Sequence, residues 1–124
     1  MITDEDIETM DEWWGLKGAS LPRKVLPELG FVVRDDELLC GCFLCEMELA
    51  GGLGGLISHT ITNPNRPHAA MKSVNKMLEQ IREYAVENGY IVLMGMTSSR
   101  LLAKTYTDNN FQQGDTGLTQ YILV

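Results

Sequence analysis

The residues best placed to do chemistry lie in one stretch, Leu56 to Gly89: an apolar strand, a proline-marked turn and a long helix. A helix that opens straight off a strand turns its unpaired backbone N–H groups toward the turn. Those groups and the helix dipole together favour an anion there. Arg66 and His68 stand in the turn and Lys72 follows one helical turn later, so a binding site is expected to begin at this point. A second concentration of reactive side chains is Cys40, Cys42 and Cys45. Alternation along a strand puts Cys40 and Cys42 on one face and Cys45 on the other. A straight strand cannot bring all three to one metal ion and no fourth ligand is near. The three therefore read as buried, reduced thiols acting as small apolar side chains, and no metal is expected.

The bulk properties narrow the ligand. With 124 residues, 44% hydrophobic and 22% charged, the chain reads as one soluble domain over residues 1–124 with its own core. A net charge of −7 opposes general binding to nucleic acid or to an anionic membrane, so an anionic ligand must be held by a local basic cluster. No apolar run approaches the roughly 20 residues that span a bilayer. The acidic opening Met1-Ile2-Thr3-Asp4-Glu5-Asp6 is unlike a secretory signal, and a cytoplasmic location is expected.

The elements that must position these groups follow from periodicity. Thr3 can cap a helix over Asp4 to Trp14, in which Ile7, Met10 and Trp14 share a face; Trp13 and Trp14 are read as exposed, and whether they mark an interface is left open. A second short helical segment is expected from Ser20 to Leu29. Phe31 to Arg34 and Leu38 to Glu48 form a hairpin about Asp35-Asp36. Ala50 to Gly55 reads as a flexible connection, and it lacks the Lys-Ser/Thr ending of a P-loop. Leu56 to Thr62 is the next strand, with His59 alternating with Ile57 and Ile61. The long helix runs from Ala69 to Asn88 on a stripe of Met71, Val74, Met77, Leu78, Ile81, Tyr84 and Ala85, and Gly89 supplies its left-handed end. Tyr90 to Met96 reads as a central strand buried on both faces. A helix from Ser99 to Asp108 stops at Asn109-Asn110, a short strand begins at Phe111, and Leu118 to Val124 closes the sheet.

This order resembles the GNAT superfamily of N-acetyltransferases over nearly the whole chain. Many GNAT proteins carry an Asn, an Ala, a Tyr and a Gly-Phe pair along the helix after the strand that lines the cofactor cleft. Here Ser99, Ala103, Tyr106, Asn110 and Phe111 hold those places, with Ala103, Tyr106 and Phe111 matching outright. The N-terminal half is similar to small members common in phage genomes, through Trp13-Trp14, Leu26-Pro27-Glu28-Leu29-Gly30-Phe31 and Asn63-Pro64. The usual acetyl-CoA loop is Q/R-x-x-G-x-G/A. Arg66-Pro67-His68-Ala69-Ala70-Met71 keeps the leading Arg but puts Ala69 at the first Gly and Met71 at the last position, while Pro67 has no N–H to give.

The resemblance implies a mixed α/β (α+β) fold with a mostly antiparallel central sheet of about six to seven strands flanked by helices. It implies transfer of an acetyl group from acetyl-CoA to an amine by direct attack. Arg66, His68, Ala69, Ala70, Met71 and Lys72 would hold the anionic co-substrate, with Ser99 helping to position it. Tyr106 would give the proton to the departing thiolate. For taking the amine's proton the choices are His59 and Glu46, with Glu48 on the same strand face as Glu46. The acceptor is a small-molecule or protein amine, and the negative charge suits a cationic one; nucleic acid and membrane are not expected, and nothing opposes a homodimer. For a phage-encoded chain the location is the host cytoplasm. The rival reading is a GNAT-fold binding protein without catalysis, working through a host or virion partner.

Overall fold

A computed structural model describes residues 2–18, 26–95, 97, 99–112 and 114. Among them the elements run α1 (Asp4–Leu16), β1 (Leu29–Arg34), β2 (Leu38–Leu49), β3 (Gly52–Thr62), α2 (Pro67–Glu87), β4 (Val92–Gly95) and α3 (Arg100–Asp108). The strands form one mixed sheet in the order β1-β2-β3-β4. β1, β2 and β3 are antiparallel neighbours, and β4 returns parallel to β3 through the α2 crossover.

Local chemistry explains where the helices begin and end. Thr3 accepts the Asp6 N–H at 3.2 Å while Asp6 accepts the Thr3 N–H at 2.9 Å, a reciprocal cap that fixes the start of α1. Asp6 is buried and also accepts from Arg34 at 2.6 Å, which ties α1 to the end of β1. α2 ends at Asn88 with Gly89 at φ 69°, and α3 ends at Asn109 with Asn110 at φ 68°. Both are left-handed positions that glycine and asparagine tolerate.

The sheet has a core on each face. On one, Val74, Met77, Leu78 and Ile81 of α2 meet Phe31, Val33, Cys40, Cys42, Leu44 and Ile57, with Leu102 and Tyr106 of α3 beside them. On the other, Ile7, Met10, Trp13 and Trp14 of α1 meet Leu38, Phe43 and Ile61. Burying one such Leu, Ile or Met side chain stabilises by about 1.5–3 kcal/mol. Trp13 and Trp14 are therefore core residues, not exposed interface markers, because two successive helix positions can both reach a wide apolar sheet face. Cys40 and Cys42 lie buried on the α2 face, and burial pushes both thiols up. Cys45, expected to be buried, is exposed on the opposite face.

Pairing corrects several boundaries. Gly52 to Gly55 belong to β3 and are no loose connection, since Gly54 faces Met47 and Gly55 faces Glu46 across the ladder. Glycine is needed there: a Cβ on Gly55 would stand 2.7 Å from the Tyr90 ring and 3.0 Å from Leu44. β4 is four residues long, and Val92 and Met94 are exposed, so the run from Tyr90 is not buried on both faces among the described residues. Phe111 and Gln112 form no strand; the Phe111 N–H turns back to the Tyr106 carbonyl at 3.0 Å. Leu26–Glu28 is not helical, and the rest of the expected second helix, like the closing strand from Leu118, lies outside the described residues, so the sheet is described as four strands.

The end of β3 is held by one side chain. Asn63 is buried, donates to the Leu38 carbonyl at 2.9 Å and accepts the Asn65 N–H at 2.9 Å, so it sets the turn from which α2 starts. Asn63→Ala should lower unfolding stability by about 1–3 kcal/mol by orphaning both groups. Chemical denaturation checks this; an unchanged midpoint would contradict the role.

Candidate active site

β3 carries one residue too many for its partner. Gly41 faces Ile61 and Phe43 faces Ser58, so Cys42 alone stands opposite both His59 and Thr60. His59 takes the left-handed φ of 56° at this bulge, a sparsely used conformation for a non-glycine residue. The extra residue drops out of the ladder and bends its strand. It also switches faces: Ile57 packs with the α2 core, whereas Ile61 packs with the α1 core. The expected regular alternation of Ile57, His59 and Ile61 is thus broken.

Among the described residues, parallel pairing with β4 covers Gly54–Ile57 with Val92–Gly95, and the bulge at His59 and Thr60 lies just beyond Ile57 on β3.

Tyr106 lies on the α2 side of the sheet, over the end of β4. Its ring crosses Gly95 so closely that a Cβ there would meet its Cζ at 2.5 Å, and Phe111 holds it edge-on with ring centroids 5.0 Å apart. The hydroxyl is buried and has no hydrogen-bond partner among the described residues. Burial, with the Cys42 thiol adding to it, pushes the phenol up to about 12; Thr60 beside it opposes the shift slightly without making a bond of good geometry. A buried, unsatisfied hydroxyl is costly. Tyr106 is consequently a protonated donor waiting for an acceptor.

His59 occupies the α1 side. Its ring lies edge-on to Trp14 and to Phe43, each with centroids 6.4 Å away. Nδ1 is 2.9 Å from the Ser58 hydroxyl, a bond in which either partner can donate. Partial burial lowers the imidazole pKa below its ordinary value, so the ring is neutral near pH 7. With Nδ1–H donated to Ser58, the Nε2 lone pair is free to take a proton.

The start of α2 follows the end of β3 and meets the β1–β2 turn. Arg66 is the N-cap residue, no side chain among the described residues caps this end, and Pro67 is in the first turn. Ala70 donates to the Arg66 carbonyl at 2.9 Å, which leaves the N–H groups of His68 and Ala69 facing the turn. Ala70 is fully buried, Ala69 and Met71 are half-buried, and His68 and Lys72 are exposed. The Arg66 guanidinium is not free: Nη1 donates to Asp35 at 2.7 Å and approaches Glu37 at 3.5 Å.

The structure thus places His59 on the α1 face and Tyr106 on the α2 face of the sheet near the β3 bulge, with Arg66–Lys72 at the helix that follows β3. Glu46 lies elsewhere, in the paired part of the sheet opposite Gly55, where its carboxylate accepts the Tyr90 hydroxyl at 2.8 Å. Ser99 is the N-cap of α3 and accepts the Leu102 N–H at 3.3 Å. Among the described residues no group of His, Cys, Asp and Glu side chains could hold a metal ion, and no helix is long and apolar enough to cross a membrane. The sequence reading missed the bulge and the Asp35–Arg66 pair. The only sequence signal for the bulge was a polar Ser-His-Thr run inside an apolar strand.

Comparison with known proteins places this geometry. No family profile and no curated protein matches the chain. Solved structures do match. A Thermus thermophilus protein superposes with a TM-score of 0.75 at 12% identity, covering 99% of this chain and 95% of that one. A Trypanosoma brucei acetyltransferase gives 0.70 at 13% identity over 98% and 96%. A predicted acetyltransferase of Clostridium acetobutylicum, solved with acetyl-CoA, gives 0.62 at 15% identity over 97% and 92%. The fold is GNAT-like, the fold of these acetyltransferases.

The unpartnered hydroxyl makes a stability prediction. Tyr106→Phe should raise the stability of the ligand-free protein by about 1 kcal/mol near neutral pH. Because burial raises the phenol from 10 to about 12, the wild type should lose stability as pH climbs through that window, and the variant should lose less. Thermal melts at the two pH extremes check both; a destabilised Phe variant would show the hydroxyl to be satisfied.

Proposed function

We propose that the chain is an acetyl-CoA-dependent N-acetyltransferase, with an opening at the β3 bulge that the thioester enters from the α2 side and the amine from the α1 side. The observation that carries this reading is the Tyr106 hydroxyl, buried and without a partner among the described residues, over the end of β4. A structural neighbour solved with acetyl-CoA supports the choice of co-substrate.

The chemistry has three requirements. The amine nitrogen attacks the acetyl carbonyl carbon, the carbon–sulfur bond breaks, and sulfur leaves as a thiolate. A base must take the amine's proton, a donor must meet the sulfur, and the anionic part of the co-substrate must be held. His59 is the base, because its neutral ring lies at the bulge on the acceptor side. Glu46 is the weaker choice, being engaged by Tyr90 away from the opening. Tyr106 meets the sulfur. A phenol near 12 is a much weaker acid than a thiol of about 8.5, so Tyr106 stabilises the thiolate by donating a hydrogen bond and need not release its proton. The bulge leaves backbone groups of His59 and Thr60 out of the ladder to receive the carbonyl oxygen. Arg66, Lys72 and the backbone of His68, Ala69, Ala70 and Met71 hold the phosphates, while Ser99 shapes the α3 end. A cationic amine suits a chain of net charge −7. The rival, a binding protein without catalysis, draws on Pro67 and on the occupation of Arg66 by Asp35.

Acetyl-CoA at about 100 times its dissociation constant should stabilise the fold by roughly 2.7 kcal/mol; a melting temperature unmoved by millimolar ligand would sink the enzyme reading. With binding established, Tyr106→Phe should slow turnover while leaving acetyl-CoA affinity nearly unchanged. Binding without acetylation of any amine in a panel of lysine peptides and polyamines would favour the rival.

The assignment of the base is read from pH. With His59 neutral only above a pKa lower than 6.5, kcat/KM should rise through that value and level off by neutral pH. His59→Gln should remove this limb; a profile identical to wild type would pass the role to another group.

A further inference from the structure

We propose that the β1–β2 turn is a built-in competitor for the phosphate-binding end of α2, its carboxylates occupying Arg66 until an anionic ligand displaces them. The inference rests on the acetyl-CoA reading above, whose independent support is the unpartnered Tyr106 hydroxyl.

The turn at residues 35–37 contributes three consecutive carboxylates, Asp35, Asp36 and Glu37, all exposed. Asp35 is bound to Arg66 at 2.7 Å and Glu37 approaches the same nitrogen at 3.5 Å. The turn is built to keep Asp35 in place: Asp35 accepts the Glu37 N–H at 3.1 Å, and its own N–H donates to the Glu37 carbonyl at 3.1 Å. Arg66 holds the Asp35 carboxyl down at about 2, so it is ionised at any working pH. Asp36 is not a partner of Arg66. The strongest cation at the α2 N-terminus is thus already matched by a carboxylate, and two more negative charges stand beside it. A diphosphate arriving at the His68 and Ala69 N–H groups meets this repulsion and must draw Arg66 away from Asp35.

The contact costs affinity but gains selectivity. A ligand with one weak negative charge gives Arg66 no more than Asp35 already does, whereas a diphosphate with several charge-assisted acceptors does. The turn therefore raises the threshold for anion binding at a helix end that would otherwise accept small anions indiscriminately.

The test compares CoA and pantetheine, which lacks the phosphates, on the full chain by titration calorimetry. Asp35→Asn keeps an oxygen for the Glu37 N–H but loses the charge. It should tighten CoA binding about 3-fold, and Asp35→Asn with Glu37→Gln about 10-fold, with pantetheine unchanged. Asp36→Asn removes the same charge from the same turn without touching Arg66 and should have the smaller effect. CoA binding that is equal in wild type and the Asp35 variants, or improved as much by Asp36→Asn, overturns the competitor while leaving the acetyl-CoA reading intact. Weaker binding in Asp35→Asn overturns it in the other direction, making Asp35 an aid that orients Arg66. Failure of every protein, wild type included, to bind CoA overturns both, and binding by the Asp35 variants alone supports the competitor most strongly.

Discussion

One extra residue in β3 shapes the site. Opposite Cys42 the strand spends two residues, His59 and Thr60, and the backbone answers with a left-handed turn at His59. The faces of the strand exchange, so Ile57 serves one core and Ile61 the other. A regular strand would have kept His59 on the same face as both isoleucines. The left-handed conformation at a non-glycine residue is a strain of order 1–3 kcal/mol, offset by the packing of the His59 ring against Trp14 and Phe43.

Tyr106 is held in place over the end of β4. The ring needs the absence of a side chain at Gly95 and the support of Phe111, and Phe111 is placed by the backbone bond that ends α3. α3 is in turn tied to α2, since Asn109 bonds Asn75 and receives Arg82 on its carbonyl. The helix terminus, the aromatic pair and the strand glycine therefore act as one unit that presents a hydroxyl to an otherwise apolar place. That unit trades stability for readiness: a donor left unsatisfied in the resting protein needs no rearrangement when an acceptor arrives.

What the sequence made legible follows from how local each feature is. The Thr3 cap, the α2 stripe, the left-handed ends at Gly89 and Asn110, and the Ser99 start of α3 each depend on residues within one or two helical turns. The position of Tyr106 on that helix and the fold class were likewise readable. What failed depends on partners distant in the chain. Gly52–Gly55 look like a linker until Leu44, Leu49, Tyr90 and Val92 are seen to fill the space their side chains would need. Trp13 and Trp14 look exposed until the breadth of the sheet face beneath α1 is known. The His59 bulge is invisible because a strand's register is decided by its neighbour, and Phe111 reads as a strand because its use as a helix stop and a ring support depends on Tyr106.

Electrostatics at α2 shows why a motif and its function can part. A leading Arg, a helix start and a nearby Lys suggest an anion site on sequence, and the helix dipole supports the suggestion. The glycine-poor loop weakens it, because Pro67 withholds an N–H and Met71 takes up room. The structure adds a third influence of comparable size. An exposed Arg–Asp pair is individually weak. Yet Arg66 meets two carboxylates, Asp35 and Glu37, with Asp36 in the same turn, within a chain that carries −7 overall. The number of acceptors a ligand brings, and not its charge alone, then decides whether it prevails over Asp35. On the proposed reading a diphosphate would present several oxygens to the His68 and Ala69 N–H groups and the guanidinium at once, whereas Asp35 engages a single guanidinium nitrogen. The contact that occupies Arg66 at rest would then favour polyvalent anions over monovalent ones.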